Sequence, residues 1–255
     1  MSAPAVPPRE RSVVLVPLLI LAGAGWLVLV WQSGRMSPAM GAGWAMGIRA
    51  PLFTAMWIVM MAAMMFPTAA PMILTFARIS AGRRRQGLVF VPAWVFTGAY
   101  VLVWTLFGVL AYLAAAGVDG LVSRSMWWTV HAAQLGGAVI ALAGLYQFSP
   151  LKRACLSQCR TPLSFILDFW RDGYAGAFAM GVRHGAYCLG CCWVFFLILF
   201  PLGVMNVAVM LLMTALIFAE KSLRAGEHIA RAAGLGLLAY GILVILLPRA
   251  LPAGM

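Results

Sequence analysis

The chain of 255 residues is 64% apolar and only 9% charged, with a mean hydropathy of +0.97. A soluble domain carries about 25% charged residues, so this composition excludes a soluble enzyme and points to an all-α, compact polytopic membrane bundle. The formal charge of +12 suits the positive-inside rule and anionic headgroups better than nucleic acid, because Lys and Arg are spread thinly over loops without aromatic interleaving.

In chain order, residues 1–12 read as a disordered tail rich in Pro and Ala, followed by a single transmembrane domain over 13–248 and a short tail at 249–255. Val13 to Trp31 reads as a retained first helix, because it is longer than a signal-peptide core and no small-residue cleavage site follows. Gln32 to Ala50 is a connection containing Gly, Met and Trp. The second span, Leu52 to Ala77, is expected to be interrupted by Pro67 and Pro71 and to end in a basic loop, Arg78 to Gln86. Leu88 to Ala116 and Trp127 to Phe148 give the third and fourth spans, with Trp127 and Trp128 as interfacial anchors. Ser149 to Tyr174 is the longest polar stretch, and its second half, Leu163 to Trp170, suits a short helix on the membrane surface. Ala186 to Phe200, Val204 to Ala219 and Ala232 to Leu247 complete about seven transmembrane helices. With the N-terminus cytoplasmic, this count leaves only Arg35, Arg49, Arg124 and Arg249 outside, and the other fourteen of the eighteen basic residues inside. The expected location is the bacterial inner (cytoplasmic) membrane, with the chain as a multi-pass protein.

Two sulfur clusters carry the chemistry. In the second span, Met56, Met60 and Met64 lie at about 0°, 40° and 80° around a helix, and Met61, Met72 and Met65 at about 140°, 160° and 180°. Six thioethers thus share one half of a helix whose prolines free the carbonyls of Ala63 and Pro67, with Thr68 and Thr75 placed to satisfy them. Methionine as a flexible gap-filler is the competing reading. The functional reading is a path for a soft metal such as Cu(I), with Met36, Met40 and Met46 as an outer collecting group. The second cluster is His184, Cys188, Cys191 and Cys192, which share an arc of about 100° at the inner end of the fifth span. Arg183 would favour the thiolates. Cys155 and Cys159 form a third site in the cytoplasmic loop, flanked by Lys152, Arg153 and Arg160, suited to transient metal transfer or thiol exchange.

Other polar groups read as structural. His131, beside Gln134, is an interhelical hydrogen-bonding residue. Glu220 and Lys221 make an ion pair at the membrane boundary. His228, in a polar connection, is assigned no role. Gly136 and Gly137 allow close helix packing. No catalytic set or organic cofactor site is apparent.

The run Met60 to Met72 (MMAAMMFPTAAPM) resembles the signature of a bacterial family catalogued as predicted metal-binding integral membrane proteins. So do Tyr146 to Lys152, the Cys155/Cys159 pair, and Gly181 to Trp193 with His184, Cys188, Cys191 and Cys192. The resemblance covers Pro51 to Lys221 and implies metal binding without a substrate. The spaced methionines also look like those lining trimeric copper transporters, a short match that the rest of the chain does not share.

The leading reading is binding and handling of a soft metal, Cu(I) above other thiophilic ions. The methionines would pass the ion to His184, Cys188, Cys191 and Cys192, and Cys155 and Cys159 would offer it to a cytosolic acceptor, the softer thiolates setting the direction. One alternative is an accessory subunit of a larger membrane complex of the copper oxidase or oxygenase type. The other is a membrane thiol–quinone oxidoreductase, which requires cysteines on the outer face where this topology places none. The expected partners are the lipid bilayer, the metal ion and an acceptor or complex; nucleic acid is not among them.

Overall fold

The structure, a computed structural model, describes residues 8–35, 48–122, 124 and 126–248. Met36, Met40 and Met46, with the chain ends 1–7 and 249–255, lie outside the described residues. All regular structure among the described residues is helical, in ten helices. They are α1 (Pro8–Ser33), α2 (Ala50–Arg85), α3 (Ala93–Val122), α4 (Met126–Val130), α5 (Ala132–Tyr146), α6 (Pro150–Arg160), α7 (Pro162–Asp168), α8 (Gly173–Leu202), α9 (Val207–Ser222) and α10 (Gly226–Leu246). The first helix starts at Pro8, ahead of the Val13 read from hydropathy.

Five helices are long and apolar enough to cross a membrane: α1, α2, α3, α8 and α10. A sixth candidate is α5 with α6, bent by 64° between them. At 16 residues, or about 24 Å, α9 falls short of the roughly 30 Å hydrocarbon layer. In α1, α3 and α10 only 22% of the most apolar window is buried inside the bundle. Apolar helices whose outward faces carry Leu27, Trp31, Leu106, Leu110 and Leu235 are compatible with a lipid-facing exterior.

The central helix is α2, and it departs from expectation twice. It runs without a break through Pro67 and Pro71, and it continues as helix to Arg85 where a basic loop was expected. Helical geometry persists because burial on most sides compensates for two lost backbone bonds. Thr68 donates to the carbonyl of Met65 (3.0 Å) and Thr75 to that of Pro71 (2.8 Å), not to the carbonyls of Ala63 and Pro67. Trp57 ties α2 to α3 by donating from Nε1 to the carbonyl of Trp104 (2.9 Å) and touches Phe196 of α8.

Two seams position the site. Contacts of Gly181 with Ala99 and of Gly185 with Val103 make α3 and α8 run parallel. On the far side, Gly137 and Gly144 of α5 meet Gly241 and Gly234 of α10, backbone against backbone, as the glycine pair in the sequence suggested. The expected fourth span is broken at His131 into α4 and α5. His131 Nδ1 bonds to the carbonyl of Trp127 (2.8 Å) in its own segment, which corrects the interhelical role.

Candidate functional site: a thiol centre between three helices

The apolar run of the fifth span extends far beyond its expected start. Because α8 begins at Gly173, His184 to Cys192 lie midway along a continuous helix of 30 residues rather than at its start. The arc read from the sequence does face inward. Cys188, Cys191, Cys192 and His184 are all buried, each no more than 3% exposed. From the C-terminus of α8 the chain reverses at Gly203, whose φ of 90° is open chiefly to glycine. Asn206 then caps α9 by accepting from the amide of Val209 (3.2 Å). Cys188 and Lys221 are equally far in sequence from this turn, so the returning helix delivers Lys221 beside Cys188.

The Cys155/Cys159 pair is not a separate site. Ser149 caps α6 by accepting from the amide of Lys152 (3.1 Å), Pro150 opens it, and the resulting helix lies against α8. Cys159 Sγ sits 3.9 Å from Cys191 Sγ, and Cys191 Sγ sits 3.2 Å from Cys192 Sγ. The Cys191 thiol donates to the carbonyl of Cys188 (3.2 Å). Cys155 is buried against Gly190, where a Cβ would come within 2.6 Å of its sulfur, so glycine is required for α6 to approach. Tyr146 donates to the carbonyl of the same Gly190. All five cysteines of the chain are free thiols gathered along this contact.

The charged neighbours differ from those the sequence suggested. Lys221 does not pair with Glu220. Its Nζ donates to Cys188 Sγ (3.1 Å), and Tyr100 Oη of α3 is hydrogen-bonded to the same sulfur (3.1 Å). Glu220 instead pairs with Lys152 of α6 at 2.7 Å, both side chains 1% exposed. Lys152 also donates to Gln147 Oε1 and lies over the Phe195 ring (4.7 Å). The reason is helical geometry: consecutive residues point about 100° apart and do not face each other. Arg183 stacks on Phe169 (4.2 Å) rather than serving the thiols. Arg160 turns to the end of α9, donating to the carbonyls of Glu220 (2.8 Å), Leu223 (2.9 Å) and Arg224 (3.2 Å). Lys221 and Tyr100 were missed at the sequence level. A lysine ending an apolar run was the one available signal.

His184 completes the centre one helical turn before Cys188. Its ring stacks with Tyr100 (5.2 Å) and Phe96 (5.8 Å) and meets Phe165 edge-on (5.7 Å). Neither ring nitrogen has a hydrogen-bond partner, an orphaned state that buried polar atoms rarely tolerate. For a soft ion with bonds of about 2.3 Å, two shared sulfurs stand about 3.8–4.6 Å apart. Cys159 and Cys191 meet that span at 3.9 Å, whereas Cys191 and Cys192 at 3.2 Å are too close. Among the described residues, no three His, Cys, Asp or Glu groups are arranged to hold a metal ion. Of these two sulfur pairs, only Cys159 and Cys191 stand at a distance that one soft ion could bridge.

The methionines of α2 occupy a different environment. Met60, Met61, Met64 and Met65 are packed in the apolar core, with exposures of 3% or less. Met65 sulfur lies 3.9 Å from the Thr68 hydroxyl, and half-buried Met56 accepts from Gln32 Nε2 of α1 (3.4 Å). Between this helix and the thiols stands α9, which packs on α2, α6 and α8 and carries the buried Met210 and Met213.

Comparison with curated proteins and with solved structures gives no match. A family model described as PpoB2, copper chaperone, matches residues 54–244, which take in α2 after its first turn, the whole thiol centre and nearly all of α10. The chain belongs to this copper chaperone family.

Proposed function

We propose that the protein is a membrane-embedded copper chaperone that holds copper as Cu(I) between Cys159 and Cys191 and releases it to a cytosolic acceptor or a larger membrane complex. The observation that carries this reading is the 3.9 Å approach of two thiols from different helices beside three further cysteines. Thiolates favour Cu(I) over hard cations, and a seat with only two protein donors leaves room for an acceptor's thiol to join before the first bonds break. Cys188, Cys192, Cys155 and His184 provide neighbouring donors along α8 and α6.

In this reading the bundle crosses the bacterial inner membrane seven times with its N-terminus inside, through α1, α2, α3, α4–α5, α8, α9 and α10. The shortness of α9 is offset by the exposed Arg224 just beyond its end, which can reach toward headgroups and water. Support comes from the apolar outer faces and from the concentration of Arg and Lys at one side.

Metal retention tests the seat. After anaerobic purification in detergent and loading with Cu(I) under reductant, elemental analysis should find about one copper per chain. Cys159→Ser and Cys191→Ser should each lose it, while Cys155→Ser keeps it. Undiminished copper in the Cys159→Ser/Cys191→Ser double variant would overturn the assignment.

A further inference from the structure

A large concavity lies away from the thiols, where the N-terminal half of α1, the end of α2 and the start of α3 diverge. This groove of about 1200 Å³ is walled by apolar side chains such as Val14, Leu18, Leu21, Ile73 and Val101. Its one hydroxyl, Thr97, is satisfied by the carbonyl of Ala93 in its own helix (3.0 Å). Four arginines also line it, Arg11, Arg78, Arg84 and Arg85, the last already engaged by a partner of its own, and among the described side chains no carboxylate does. Arg84 lies over the Phe90 ring (5.2 Å), which holds its guanidinium at the rim.

We infer that this groove is a binding site for an anionic phospholipid, its phosphate held by the arginine rim and an acyl chain laid along α1 and α3. Two dimensions support that occupant. From Arg11 to Leu21 the groove follows α1 for ten residues, about 15 Å, which is half of a hydrocarbon layer about 30 Å thick. The arginines come from the start of α1 and the last two turns of α2, so the site combines a cationic rim with an apolar trough about one leaflet deep. A soluble peptide would leave either the trough or the rim unmatched. A phospholipid of the cytoplasmic leaflet, where anionic lipids meet basic side chains, satisfies both. This inference rests on the membrane reading above.

Trp94, 70% exposed and lining the groove, supplies the probe. The full chain is placed in phosphatidylcholine vesicles containing a brominated phosphatidylglycerol or, in parallel, a brominated phosphatidylcholine. The part of the tryptophan quenching that disappears in Trp94→Phe is then measured. The Trp94 signal should be quenched preferentially by the brominated phosphatidylglycerol. The Arg11→Gln/Arg84→Gln/Arg85→Gln variant should lose about tenfold of that preference. Equal quenching of Trp94 by both lipids would overturn the anionic site while leaving the membrane reading intact. Quenching of the other tryptophans but not of Trp94 would show the groove covered by something else and would also overturn it. No quenching of any tryptophan would overturn the membrane reading and this site with it.

Discussion

The methionine helix and the thiol centre are both sulfur-rich and both buried, yet their surroundings differ in kind. Around Met60, Met61, Met64 and Met65 the neighbours belong to the apolar core. Around Cys188 and Cys191 stand an ammonium, a phenol, a backbone carbonyl and other thiols, drawn from α3, α6, α8 and α9. Packing alone accounts for the first arrangement, since a thioether fills gaps without needing a partner. It does not account for the second. An interior lysine costs several kcal/mol to desolvate unless matched, and here one is matched to sulfur and another to Glu220. Burial alone therefore says little about a sulfur's role, and the polar groups brought to it say more.

The sharpest way to break this contrast is to remove half of the polar frame. Lys152→Met leaves Glu220 buried without its counter-charge and should cost about 3–5 kcal/mol, measured by denaturant unfolding in detergent micelles. Lys152→Met/Glu220→Leu should recover most of that loss, and equal losses in the two variants would contradict it. On the methionine side, Met64→Ala should cost about 2–5 kcal/mol through the cavity it opens. A smaller effect, about 1.5–3 kcal/mol, is expected when Arg160→Ala removes the charged cap from the end of α9. The least disruptive change is the most informative. Met64→Leu should cost less than about 1.5 kcal/mol and leave copper retention unchanged if Met64 only packs. Loss of copper in that variant with stability preserved would move Met64 into the metal path.

Local pattern made part of this legible. The inward arc of His184, Cys188, Cys191 and Cys192 followed from helical spacing, and the glycines of α5 announced a close helix contact. Two features were not legible. The union of Cys159 with Cys191 depends on α6 folding back against α8, a contact between residues 32 apart that no local period encodes. The pairing of Glu220 with Lys152 and of Lys221 with Cys188 was hidden by adjacency in the chain, which suggests partnership where the helix enforces separation. In α2 the angular count of methionines implied one special face. The opposite side, with Trp57 against Trp104 and Phe196, is buried as well, because the helix lies at the centre of the bundle. The prolines suggested a break that this burial prevents.

Unequal helix lengths have one more consequence. Because α9 ends after 16 residues while α8 runs for 30, the corner between α9 and α10 stands level with the middle of α8 and not with its end. The wall around the thiols is thus low on one side. Arg160 braces that notch by holding the backbone of Glu220, Leu223 and Arg224. A visitor at the corner would stand one side-chain layer, Lys221, from Cys188 without travelling along the axis of the bundle. The short α9 thus brings a chain corner, and a lysine beside it, close to the buried thiols.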